Sequence, residues 1–331
     1  MYNYVIQNFL RFTNFIQTGG FFLTMKKLFV VFLAVLLIVG TVCTAGAQGK
    51  KFGATYMTMN NPFFGVMNDA IKAAVEANGD TLITLDPALD PVKQISQIED
   101  MVAQGVDAIF LNPVDWQAVA PGLMAAHEAG IPIINVDAAV YDEDYVACIV
   151  ASDNLSAGLL CAEDMLKRLP KGGKAVILGH PTTKTGIDRI AKFKETIEAH
   201  PEFTIVAEDS SEGQLEIAMP KMENIIQAHP DMNVVMCVND PTARGVIQAL
   251  KAANMKGVLI YGVDGSPDAK KAIKEGDMTG TAAQSPINIG KIGVEMAYKI
   301  LAGEKVDKHI PVPVQLITAE NVDQFGVDGW Q

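Results

Sequence analysis

The chain has 331 residues, 49% hydrophobic and 19% charged, which is long for one core and comfortable for two. Its formal net charge of −12 argues against nucleic acid or an anionic membrane surface as partner. Four cysteines without a C-x-x-C spacing give no sign of a disulfide framework or a zinc site.

In chain order, the first feature is a leader. Lys26 and Lys27 precede an apolar run from Leu28 to Val39, and small residues follow as far as Ala45-Gly46-Ala47. A basic start, a short apolar core and an A-x-A end describe a secretory signal peptide over 25–47, with Met25 as the true start and residues 1–24 as upstream sequence translated in frame. The run is shorter than the roughly 20 residues a spanning helix needs. Cys43 follows Val42, with Gly40 three residues before it, where a lipid-anchored protein carries a small residue and usually Leu. Cleavage after Ala47 is therefore favoured over a lipid anchor. Residues 1–47 hold Arg11, Lys26 and Lys27 and no acids, so 23 of the 26 basic residues remain against 38 acidic ones, a balance of −15. Cys148, Cys161 and Cys237 remain in the mature part and read as buried free thiols.

From Lys51 onward short apolar runs alternate with stretches of helical periodicity. Strands are expected at 52–57, 82–85, 108–111, 133–136, 147–150, 175–178, 204–207, 234–238, 259–263 and 279–283. Between them lie amphipathic helices; in "QISQIEDMVAQG", Ile95, Ile98, Met101 and Val102 share one face. This β-α order predicts an α/β fold of doubly wound parallel sheets, and ten strands at this length predict two similar lobes.

In such sheets ligands bind beyond the carboxyl ends of the strands. Those positions are polar here: Asn60-Asn61, Asn112, Asp137, Ser152-Asp153, His180, Asn239-Asp240, Asp264 and Gln284. Asn61 before Pro62 reads as a helix cap, and Asp153, Asp240 and Ser266 suit the same role. Asp137 differs, because the stretch "AAVYDEDYV" after it offers no helical stripe to cap. Phe63 and Phe64 open a helix about 100° apart, so one is expected in the core and the other facing the crevice. An aromatic face beside carboxylates and amides suits a sugar, whose C–H face lies on a ring while its hydroxyls pair with polar side chains.

These residues, with "NNPFF" at 60–64, "QISQIEDMVAQGVDAIFLNP" at 94–113, "GIPIINVD" at 130–137, "ASDN" at 151–154, "NDPTARGVIQAL" at 239–250, "YGVDGSPDAKKAIKEG" at 261–276 and "TAAQSP" at 281–286, resemble the ribose-binding, type I class of periplasmic sugar-binding proteins of ABC importers. The resemblance implies two lobes, 50–152 plus 285–313 and 153–284 plus 314–331. Three hinge crossings would join them near Ser152/Asp153, Gln284/Ser285 and Pro313/Val314. It implies ligand contacts at Asn61, Phe63, Phe64 and Asp137 from the first lobe and at Arg189, Asn239, Asp264 and Gln284 from the second. By itself Arg189, in "TGIDRIAKF", would read as a helix-surface charge.

Two departures stand out. Ribose-type members follow the strand-end Asp with Arg, where this chain has Ala138, and they carry a second-lobe aromatic where this chain has Gly213 in "SSEGQLEI". A site roomier than one for ribose is expected, with Trp116 as a candidate replacement wall that reads more simply as packing on its own helix. The reading is a secreted, monomeric, periplasmic receptor for a neutral sugar or polyol. It would use no cofactor or metal, deliver its ligand to an ABC importer permease, and possess a surface that a chemoreceptor could also read. A nucleoside or sugar-derived signal is the alternative ligand. A lactose-repressor-type regulator would need a helix-turn-helix where the leader stands, and an enzyme would need a nucleophile with a base, whereas His127, His180, His200, His229 and His309 are scattered.

The leader makes a direct prediction. Mass spectrometry of the exported protein should find a mature amino terminus at or near Gln48. A diacylated Cys43 at the terminus would overturn the soluble assignment.

Overall fold

The computed structural model describes residues 49–330; the segments expected to be upstream sequence, 1–24, and a signal peptide, 25–47, lie outside them. The first sheet contains β1 (Lys51–Thr55), β2 (Thr81–Leu85), β3 (Ala108–Leu111), β4 (Ile133–Val136), β5 (Cys148–Ser152) and β11 (His309–Val312), in the spatial order β11-β5-β4-β3-β1-β2, all parallel. The second contains β6 (Gly173–Gly179), β7 (Phe203–Ser210), β8 (Val234–Cys237), β9 (Leu259–Asp264), β10 (Gly280–Ala283) and β12 (Gln315–Thr318), in the order β12-β10-β9-β8-β6-β7. Only the β10–β12 pairing is antiparallel.

The helices follow the strands: α1 (Pro62–Ala77), α2 (Pro91–Ala103), α3 (Ala120–Glu128), α4 (Asn154–Arg168), α5 (Lys184–Glu198), α6 (Leu215–Ala228), α7 (Asp240–Ala252), α8 (Pro267–Glu275) and α9 (Pro286–Leu301). Each lobe buries one apolar cluster on either face of its sheet, as parallel strands require. The ten strands expected from the sequence are present with ends moved by at most three residues, the largest shift at β7, which runs on to Ser210. The two additional ones, β11 and β12, are four-residue edge strands flanking Pro313, and β11 contains Pro311. Such segments are strands only because a neighbouring sheet edge accepts them.

The chain passes between lobes three times. It leaves the first sheet after β5 into α4, which packs on the second lobe; it returns after β10 into α9, which packs on α1; and residues 313–314 separate β11 from β12. The cysteines Cys148, Cys161 and Cys237 are buried and free. No helix among the described residues is long and apolar enough to cross a membrane.

Side-chain caps at the strand-to-helix turns shape the face between the lobes. Asn61 accepts from the Phe63 N–H at 3.0 Å, Asp153 from the Ser156 N–H at 2.9 Å, Thr183 from the Gly186 N–H at 3.2 Å and Asn239 from the Thr242 N–H at 3.0 Å. Helices α4 and α5 then touch backbone to backbone. A Cβ on Gly158 of α4 would lie 2.1 Å from the Arg189 carbonyl oxygen of α5, so only glycine permits that approach.

Gly158→Ala must therefore push α5 outward. It is expected to cost about 1–3 kcal/mol in urea unfolding, as overpacking of a tight core does. A loss too small to measure would mean that the two helices part freely.

Candidate functional site

The carboxyl ends of the strands from both sheets converge on one narrow cavity of about 30 Å³. Asn61, Phe63 and Phe64 follow β1, and Asp137 follows β4. Across from them, Asn239 follows β8, Asp264 ends β9, Gln284 follows β10, and Arg189 projects from α5. All eight residues singled out in the sequence line this cavity. His180, Thr183, Thr185, Gly213 and Gln214 of the second lobe and Met57 of the first line it as well.

The phenylalanines do not divide as expected. Both are buried, at 2% and 4% exposure, both belong to the first-lobe core, and both line the cavity. Their rings stand at 88° with centroids 5.5 Å apart, and Tyr56 stacks behind Phe64 at 6.0 Å. One helix turn can serve core and cavity because the cavity floor is the core itself.

The polar groups form two anchored sets. In the first lobe Asn112 donates from Nδ2 to Asp137 Oδ2 at 3.0 Å, and Gln94 Nε2 donates to the Asn112 carbonyl at 2.9 Å while Gln94 Oε1 accepts from the Val114 N–H at 2.8 Å. In the second, Arg189 Nε donates to Asn154 Oδ1 at 2.8 Å and its Nη1 to the Val238 carbonyl at 2.9 Å. Neither bond uses Nη2. Gln284 Nε2 donates to Asp264 Oδ1 at 2.8 Å. Three buried acceptors lining the cavity, Asp137 Oδ1, Asp264 Oδ2 and Gln284 Oε1, have no partner. Asn239 is more heavily engaged: Oδ1 accepts from the N–H and hydroxyl of Thr242, and Nδ2 donates to the Gly213 carbonyl at 3.0 Å, which leaves one amide hydrogen.

Burial governs the charges. It pushes the Asp137 carboxyl up to about 6, opposed by the Arg189 charge and the Asn112 bond. It raises Asp264 well above the usual carboxylate range, reinforced by the nearby Asp240 and opposed by Arg189. His180 is lowered to about 4 by burial and by Arg189, so its imidazole is neutral at physiological pH. Both aspartates occupy uncommon backbone conformations, with φ of 65° at Asp137 and 141° at Asp264.

Packing bears on three sequence expectations. Asp240 does not cap α7; Asn239 does, and Asp240 turns inward to accept from Thr281 Oγ1 at 2.7 Å and the Ser266 N–H at 2.8 Å. Trp116 is absent from the cavity wall, in line with its simpler reading, and packs edge-on against Tyr141 with centroids 5.1 Å apart, while its backbone N–H donates to the Thr182 carbonyl of the other lobe at 3.1 Å. Gly213 does line the cavity, but a Cβ there would lie 2.9 Å from Asn239 Nδ2, and its φ of 68° suits glycine. The missing side chain is thus partly replaced by the Asn239 amide. Ala138 is fully buried and does not line the cavity. Asn154 and Gln94, which hold the two sets in place, fall in the stretches "ASDN" and "QISQIED" but are not themselves among the expected contacts. Among the described residues no group of three or more His, Cys, Asp or Glu could hold a metal ion.

The family model of the periplasmic binding protein domain matches residues 52–305. The chain is similar to the ribose import binding protein of Salmonella typhimurium, 34% identical over 297 residues that cover 89% of this chain and 99% of that one. It is also similar to the xylitol-binding protein of Mycolicibacterium smegmatis, 31% identical over 86% of this chain and 82% of that protein. Among solved structures it resembles an ABC transporter solute-binding protein from Bacillus halodurans with bound myo-inositol, with a TM-score of 0.80 and 29% identity over 85% of this chain and 99% of that one.

The raised Asp137 carboxyl predicts a pH signature in ligand-free protein. Its folded-state value is about 6 against an ordinary 3.8. The stability it contributes is present below the ordinary value and is lost as pH rises through about 6. Asp137→Asn removes that dependence, so its melting temperature relative to the parent should climb between about pH 4 and pH 6 and level off above, by an amount equivalent to on the order of 1–3 kcal/mol. A flat difference would show that the carboxyl is hydrated and unshifted.

Proposed function

Because the chain belongs to the periplasmic binding protein family, we propose that it is an exported solute receptor that captures a sugar or polyol between its lobes and delivers it to the permease of an ABC importer. The observation that carries this reading is the set of three unpartnered buried acceptors around one cavity, Asp137 Oδ1, Asp264 Oδ2 and Gln284 Oε1. Each requires a donor that the protein does not supply. A polyhydroxylated ligand has donors in that number. Its hydroxyl oxygens can accept from Arg189 Nη2, and its C–H face can lie on Phe63 or Phe64. A sugar phosphate would bring negative charge to Asp137 and Asp264 with Arg189 alone to balance it.

Capture and closure are then one step. A ligand that contacts both lobes binds the closed form more tightly and shifts the population toward it. The lobes 50–152 plus 285–313 and 153–284 plus 314–331 would rotate about the three crossings. The contacts are those of Asn61, Phe63, Phe64, Asp137, Arg189, Asn239, Asp264 and Gln284. Ala138, where ribose-type members carry arginine, does not line the cavity, so room for a ligand larger than a pentose rests on Gly213, where they carry an aromatic and where the Asn239 amide fills part of the space.

Thermal-shift titration with ribose, hexoses, cyclitols, linear polyols and nucleosides tests the reading, since a ligand at 100 times its Kd adds about 2.7 kcal/mol. A hexose, cyclitol or polyol is expected to stabilise the protein more than ribose. Arg189→Ala should weaken the best ligand about tenfold to more than hundredfold, the scale of a lost charge-assisted hydrogen bond. Ribose outranking every other compound defeats the size argument, and no stabilisation by any of them defeats the receptor reading.

A further inference from the structure

The second lobe supplies an aromatic to the first by an unexpected route. After β12 the chain makes a short 3-10 turn, Val322–Gln324, in which Val322 is buried in the second-lobe core and Phe325 packs against it. Lys274 pairs with Asp323 at 2.7 Å, and Lys270, whose side chain is fully buried in α8, donates from Nζ to the Gly329 carbonyl at 2.6 Å. The tail is therefore fastened to the second lobe up to its penultimate ring of contacts. Trp330 then leaves that lobe. It packs against the first-lobe core, edge-on to Phe63, with centroids 5.8 Å apart and planes at 69°. Beside it lies a chamber walled by Pro62, Pro241, Pro267 and Trp330, which shares Asn61 and Asp264 with the ligand cavity.

We propose that Trp330 is a positioning residue for ligand capture: carried on a tail anchored to the second lobe, it clasps Phe63 of the first lobe when the cleft closes, holding the closed form and fixing the ring on which the ligand rests. The inference rests on the receptor reading above. It follows from where the two partners are attached. Phe63 moves with α1 and the first sheet, while Trp330 moves with α8 and the second, so their contact exists only at the lobe spacing seen here. An edge-to-face aromatic pair contributes beyond its buried area, and a contact made only in the closed form stabilises the chain whenever that form is populated, with or without ligand. It also compensates for Gly213: the second lobe has no aromatic on the cavity wall at that position but places one behind Phe63.

Two measurements test it. The first needs no ligand. Melting temperatures of the full chain, Trp330→Ala, Phe63→Ala and the double variant form a thermodynamic cycle. Non-additive shifts are expected, and strictly additive ones would mean that the clasp does not form. The second follows binding kinetics of the best compound from the sugar and polyol series. Trp330→Ala should weaken affinity roughly three- to tenfold, the effect of losing one aromatic pair, through faster dissociation at an unchanged association rate, and Trp330→Phe should restore most of it. Unchanged dissociation in Trp330→Ala overturns the proposal while leaving the receptor reading intact. If no compound binds the parent, the receptor reading fails and the ligand-free cycle alone decides whether the clasp exists.

Discussion

Closing two lobes over Asp137 and Asp264 takes two carboxylates out of water, and among the described cavity-lining residues the one cation set against them is Arg189. That imbalance organises the site. A buried carboxylate without enough donors is costly, and the cost appears here as carboxyls pushed above their ordinary range and oxygens without partners. The closed arrangement is incomplete without something that donates hydrogen bonds into it. On the proposed reading, a ligand with several hydroxyls would repair this deficit from both lobes at once, and binding energy would be released only on closure.

The supporting structure holds Arg189 and Asp137 in place through bonds within each lobe. Arg189 is held along its own lobe by Asn154 and the Val238 carbonyl, and helix α5 is pressed against α4 at Gly158. Asn154 begins α4 directly after the crossing from the first sheet, so the residue that aims the guanidinium also sits where the lobes articulate. In the first lobe Gln94 and Asn112 tie together the ends of β1, β3 and β4 and leave Asp137 with one oxygen engaged and one free. Each lobe thus presents a rigid half-site, and the variable is the distance between halves.

Much of this was readable in the residues. The β-α alternation placed ten of the twelve strands, and the rule that ligands meet the carboxyl ends of parallel strands led directly to Asn61, Asp137, Asn239, Asp264 and Gln284. Arg189 was different: its local pattern is that of a surface helix, and only the resemblance to sugar-binding proteins drew it into the site. The edge strands β11 and β12 were invisible because four residues, with Pro311 inside β11 and Pro313 between the two, carry no periodic signal. Asp240 looked like a cap because caps and buried strand-end carboxylates share residue type and position, and only the approach of Thr281 and Ser266 separates them.

The sequence by itself determined what is local: apolar runs that must be strands, amphipathic periods that must be helices, polar residues at the joins, and a carboxylate at Asp137 with no helix to cap. Tertiary structure decided what is relative. That Phe63 and Phe64 serve core and cavity together, that the Asn239 amide fills the space beside Gly213, that Trp116 faces Tyr141 and not the cleft, and that Trp330 reaches back to Phe63 all depend on where one lobe lies against the other. No run of residues encodes that distance, because it is set by contacts between segments up to some 270 residues apart.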